Sequence, residues 1–200
     1  MATFKEALKY LSANDPKLDK IINLINPQTN NKNIDDFTSL VKTIIGQQLS
    51  GSAARTIVGR LDNHLGKKSF NPINIASLTN EELRSCGLSN AKVSYIKGFA
   101  QTLLEKPKYF KNLKNIQEEE ILNELCKIKG VGIWTASIFA MGSLGYQNIF
   151  PYGDVSLNKA IQNLYKDRLD QESIISNWSP YKSFACRVLW QWVDKGMPEV

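Results

Sequence analysis

Apolar residues recur along much of this chain at helical spacing. Phe37, Leu40, Val41, Ile44 and Ile45 fall at i, i+3, i+4, i+7 and i+8, behind Asp35 or Asp36 as an N-cap. Ala54, Ile57, Val58, Leu61 and Leu65 repeat the pattern after Ser50 or Ser52. Thr79 and Glu82 have the spacing of a capping box and open a short helix that stops near Gly87. Val93, Ile96, Ala100, Leu103 and Leu104 predict another, ended before Pro107. Ile121, Leu122 and Leu125 predict a helix that runs into Lys129-Gly130-Val131-Gly132. From Trp134 to Leu144 the chain is apolar on nearly every side, the pattern of a helix buried all round. Further helices are expected over 155–165, 171–177 and 180–194, whereas Asn26–Asn33 and Gly66–Asn74 read as loops. No segment alternates with period 2, so the expected fold is all-α.

Composition narrows the partner more than the fold. Two hundred residues suffice for one domain with a real core, and 42% hydrophobic with 22% charged residues is ordinary for a soluble chain. A formal net charge of +6 favours a polyanionic partner, because phosphate contacts supply most non-specific nucleic-acid affinity. Cys86, Cys126 and Cys186 show no metal-ligand spacing and are expected as small buried hydrophobes. His64 is the only histidine, which argues against the usual zinc sites and histidine-based catalysis. No apolar run approaches membrane-spanning length and no signal segment is evident, so an intracellular protein without a membrane partner is expected.

Gly130-Val131-Gly132 joins two predicted helices by a very short connection. Glycine permits positive φ there and lets another backbone approach closely. The free N–H groups of a helix starting near Ile133 suit a DNA phosphate, although a tight αα-corner without a ligand reads the same way. The surrounding residues decide between these. Ile128-Lys129-Gly130-Val131-Gly132-Ile133-Trp134-Thr135-Ala136 is followed by Phe150-Pro151-Tyr152-Gly153-Asp154-Val155-Ser156-Leu157. Upstream lie Ile44-Ile45-Gly46-Gln47-Gln48-Leu49-Ser50 with Ala53-Ala54-Arg55, and Cys86-Gly87-Leu88-Ser89 with Lys92, Tyr95 and Ile96. Downstream, Trp178-Ser179-Pro180-Tyr181-Lys182-Ser183 leads to Trp190. These five blocks, in this order over about residues 35–192, resemble the helix-hairpin-helix (HhH-GPD) DNA glycosylase superfamily, closest to its 3-methyladenine (alkylbase) glycosylase II group.

The resemblance implies one domain over 1–200 in two lobes, with an active site in the cleft between them. Lobe one would hold about 1–49 plus 139–200 and lobe two about 50–138, with the helix-hairpin-helix at about 117–144. It implies a monofunctional enzyme that flips alkylated purines from duplex DNA and hydrolyses the N-glycosidic bond. Asp154 would assist water and stabilise the oxocarbenium-like sugar, while also sitting where a helix N-cap belongs. Bifunctional relatives carry a nucleophilic lysine at the position of Trp134, so no lyase step is expected. Trp190 points away from the apolar stripe of Phe184, Ala185, Val188, Leu189 and Trp192, and needs another surface to cover it. By resemblance that surface is the base pocket, shared with Trp134 and Ile138.

DNA contacts would come from Gln47, Gln48, Arg55, Lys92, Gly130, Val131, Gly132 and Thr135, with Gln48 filling the gap left by the flipped nucleotide. The backbone carbonyls of Cys126, Ile128 and Val131 would hold a structural Na+ or K+, with no required cofactor. No iron–sulfur cluster is expected, since no cysteine follows Cys186. The implied partner is damaged double-stranded DNA, bound by a monomer. Two alternatives stay open: a glycosylase for another damaged or mismatched base, and a non-catalytic helix-hairpin-helix module that only grips DNA.

Overall fold

The computed structural model describes residues 2–29, 35–66, 68–166 and 170–199, and every regular element among them is helical. In chain order these are α1 (Phe4–Asn14), α2 (Pro16–Ile25), α3 (Asp36–Gly46), α4 (Gly51–Leu65), α5 (Pro72–Ser77), α6 (Asn80–Ser85), α7 (Asn90–Glu105), α8 (Tyr109–Leu113), α9 (Glu118–Cys126), α10 (Ile133–Phe139), a π-type turn (Ala140–Leu144), α11 (Val155–Tyr165), α12 (Gln171–Asn177) and α13 (Lys182–Asp194). They divide into two compact units, one of Met1–Lys32 with Gly145–Val200 and one of Asn33–Leu144. The resemblance implies 33–49 and 139–144 in the first lobe. They belong to the second unit because α3 packs against α4, α7, α10 and the π-type turn.

In the first unit α1, α2 and α11 pack on or around α13. The helices α1 and α2 both carry strong start signals. Thr3 and Glu6 form a complete capping box, and Asp15 caps α2 with Pro16 at its first position. Asp15 is buried and heavily bonded. Its carboxylate accepts the backbone N–H groups of Lys17 and Leu18 at 3.0 Å, the Trp178 indole N–H at 2.8 Å and the Tyr165 hydroxyl. One buried anion thus joins α2, α11 and the end of α12, and its hydrogen bonds offset the cost of desolvating it.

In the second unit α3 buries Phe37, Leu40, Val41, Ile44 and Ile45, the stripe that the spacing predicts. Three expectations change. The segment read as a loop to Asn74 turns helical at Pro72, with the Asn71 side chain accepting from the Asn74 N–H at 2.9 Å. The helix expected through Leu144 runs as α10 to Phe139 and continues in π-helical form to Leu144, but it is not covered all round, since Ile133 is 54% exposed and Trp134 and Ile138 are half-buried. Cys126 is exposed; only Cys86 and Cys186 are buried. Of the other expected loop, Asn26–Asn33, residues 30–33 lie outside the described residues, and Asn26–Thr29 is non-helical.

Candidate active site

Asp154 is placed by a tight turn. Its N–H donates to Pro151 O at 3.1 Å, and Gly153 takes φ +84°, a conformation that favours glycine. The turn delivers Asp154 to the N-cap of α11, where Oδ1 accepts the Leu157 N–H at 2.9 Å. Both sequence readings of this residue, cap and carboxylate of interest, therefore fall on one side chain. The same Oδ1 accepts the Trp190 indole N–H at 3.3 Å. This is the surface that the outward-pointing, half-buried Trp190 required. Asp154 is only 8% exposed, more enclosed than a cap that opens freely to solvent.

One turn before Trp190, Cys186 is fully buried, and burial together with the nearby Asp154 charge pushes its thiol well above the usual range. Two residues missed in the sequence flank the carboxylate: Tyr152, and Val155 at 81% exposure. The Tyr152 hydroxyl donates to Glu172 Oε1 at 2.8 Å. Burial first, and that acceptor second, push its pKa up to about 12, so the phenol stays protonated. Their only sequence signal is adjacency to Asp154.

In the second unit the hairpin between α9 and α10 depends on Gly130. It adopts φ +86°, and a Cβ would lie 2.2 Å from the Tyr95 ring. The Val131 N–H closes the turn on Ile128 O at 3.0 Å. Gly132 caps α10 without a side-chain acceptor, and a Cβ there would meet nothing within 4 Å. Lys127, Lys129 and Ile133 are exposed beside it. An anion can therefore approach this backbone without a steric barrier.

The residues expected to touch DNA separate into two groups. Gln48 is exposed with φ +56°, and Arg55 is exposed on α4. Others turn inward. Val131 and Thr135 are buried, so only their backbone could serve a ligand. The Gln47 amide donates to Gly130 O at 2.8 Å and Thr135 Oγ1 at 2.9 Å. Lys92, read as a phosphate contact, instead donates to Ile45 O and Gln47 O, both at 2.8 Å. Burial lowers its pKa. These contacts have a simple physical cause: a helix leaves its last carbonyls without intrahelical donors, and an ammonium within reach takes them.

Residues 41–177, more than half of the chain, match the HhH-GPD superfamily of base excision DNA repair proteins. The chain belongs to this superfamily. A crystal structure of a DNA-3-methyladenine glycosidase from Bacillus halodurans is 30% identical with a TM-score of 0.77, covering 93% of this chain and 88% of that one. The Schizosaccharomyces pombe 3-methyladenine DNA glycosylase, solved with abasic DNA, shares the fold at a TM-score of 0.83 and 22% identity over 98% of this chain and 100% of that one. The Bacillus subtilis protein YfjP, named provisionally as a DNA-3-methyladenine glycosylase, is 29% identical over 169 residues. That match covers 79% of this chain and spans 59% of the relative's length. Within this HhH-GPD chain the hairpin, Gln48 and Asp154 lie inside the matched segment, and Trp190 lies beyond it. Among the described residues no helix is long and apolar enough to cross a membrane, and no group of three or more His, Cys, Asp or Glu could hold a metal ion.

Proposed function

We propose that this protein is a monofunctional DNA glycosylase that removes alkylated purines of the 3-methyladenine type from duplex DNA. The observation that carries the reading is the Asp154 carboxylate, held by the Leu157 N–H and the Trp190 indole N–H on one oxygen. Breaking the N-glycosidic bond leaves positive charge on the sugar as the base departs. A fixed carboxylate stabilises that charge without reorganising, and it orients the water that completes hydrolysis. An alkylated purine is itself electron-poor, which suits recognition by an aromatic face, a role proposed for Trp134, with Ile138 one turn along α10, and separately for Trp190. Tryptophan at 134 offers no amine for a Schiff base, so water is the nucleophile and the strand stays intact.

Gln48 and Arg55 are the exposed DNA contacts, and the Gly130–Gly132 backbone receives a phosphate. The hairpin cation belongs to the same proposal, on the carbonyls of Cys126, Ile128 and Val131. Ile128 O accepts one N–H and keeps its second lone pair for an ion. The enzyme acts as a monomer inside the cell, where its substrate is. Its test is incubation with duplexes that each carry one defined lesion, measuring free base and strand cleavage before and after alkali. Released alkylated purine with alkali-dependent cleavage is expected. Asp154→Asn is expected to slow excision about 10²–10³-fold. Nicking without alkali would sink the monofunctional assignment, and binding without excision of any lesion would leave only a DNA-gripping module.

A further inference from the structure

Two separate contacts converge on the loop that carries Gln48. The helix α3 ends at Gly46, and its terminal carbonyls lie at the loop entrance. Lys92 on α7 donates to Ile45 O and Gln47 O. The Gln47 side chain reaches the opposite way, donating to Gly130 O and Thr135 Oγ1. Tyr95, one turn along α7 from Lys92, fills the space against Gly130. One helix therefore holds both the Gln48 loop and the hairpin turn, and Gln47 bolts the two together. Directly after these anchored residues Gln48 projects to solvent at φ +56°, a conformation uncommon for an L residue.

We infer that Lys92 and Gln47 are positioning residues that set Gln48 in register with the phosphate-binding turn. The inference rests on the reading of Gln48 as the residue that fills the gap behind a flipped nucleotide. A side chain inserted into a base stack must be placed to within a fraction of an ångström, and a loop whose preceding residue is held from two sides is better suited to that than an untethered one. The basic charge of Lys92 thus serves the protein's own carbonyls rather than DNA.

The test compares the wild type with Lys92→Met, Lys92→Arg, Gln48→Ala and the Lys92→Met/Gln48→Ala pair, on a duplex carrying one 7-methylguanine. Single-turnover excision by Lys92→Met is expected to fall about tenfold, with Lys92→Arg recovering most of the rate. The slope of log affinity against log salt should not change. With Gln48 already alanine, Lys92→Met should cost nothing more. A slope reduced by about 0.9 would identify Lys92 as a phosphate contact and overturn the inference. Equal losses in both backgrounds would also overturn it, because the effect would not run through Gln48. A Gln48→Ala enzyme as fast as wild type removes the gap-filling reading itself, a result distinct from either. If Lys92→Met does not fold, Gln47→Ala breaks the other half of the clamp and is held to the same criteria.

Discussion

Asp154 is reached by hydrogen bonds of two origins, one from its own helix and one from a residue far along the chain. The Leu157 N–H fixes the cap; the Trp190 indole fixes the rotation of the carboxylate about it. Trp190→Phe keeps an aromatic face and deletes the donor. Excision is expected to slow about tenfold with little change in affinity for undamaged duplex, read by single-turnover kinetics beside equilibrium binding. An unchanged rate would restrict Trp190 to stacking. Cys186 makes a second residue-scale prediction. Burial, and then the Asp154 charge, hold its thiol neutral well above its ordinary 9.0, whereas the unfolded chain ionises near that value. Between the two values the folded state binds the extra proton, so this stability is complete below about pH 9 and lost as pH rises toward the folded pKa. Cys186→Ala should flatten the decline in denaturation midpoint on that alkaline side.

At the scale of elements, the α9–α10 hairpin and the α3–α4 loop were both legible as motifs, and their mutual attachment was not. Gly130 shows why. Its need for positive φ follows from the turn, but its need for space follows from Tyr95 on α7, far away in sequence. Gly130→Ala is expected to cost more than about 1 kcal/mol in chemical denaturation. Adding Tyr95→Ala should recover the steric part and leave the backbone strain. Full recovery would mean that strain at φ +86° contributes nothing. The helices α1, α2, α5 and α8 are not among those read from spacing; α5 and α8 are too short to show a repeat, whereas Leu18, Ile21, Ile22 and Ile25 do give α2 the helical period. Caps mark three of them, Thr3 with Glu6, Asp15 before Pro16, and Asn71 before Pro72, while α8 has none.

For the molecule as a whole, the excess of basic residues predicts that duplex affinity falls linearly in log salt. Which lysines contribute depends on where their ammonium groups go. Lys129 is exposed beside the hairpin, whereas Lys92 is committed to backbone carbonyls. Lys129→Ala should weaken binding to all duplexes alike and reduce the salt slope by about one, measured by titration at several salt concentrations. An unaltered slope would remove Lys129 from the phosphate-facing surface. The partition into units follows the same logic. Residues 33–49 join the second unit because the apolar stripe of α3 finds its cover on α4, α7 and α10.

By itself the sequence determined the helical class, the hairpin, the candidate carboxylate and the superfamily. The first three are written in local spacing, as a 3.6-residue apolar period, a Gly-x-Gly between helices and a Gly-Asp before a helix start; the superfamily came from the five ordered blocks that resemble it. Tertiary structure decided what polar side chains do once the backbone is folded. Thr135 went inward to Gln47, Lys92 to the carbonyls ending α3, and Trp190 to Asp154. A polar group reports its type in the sequence but not its partner. Desolvation makes the partner compulsory, and only packing brings one within hydrogen-bonding reach.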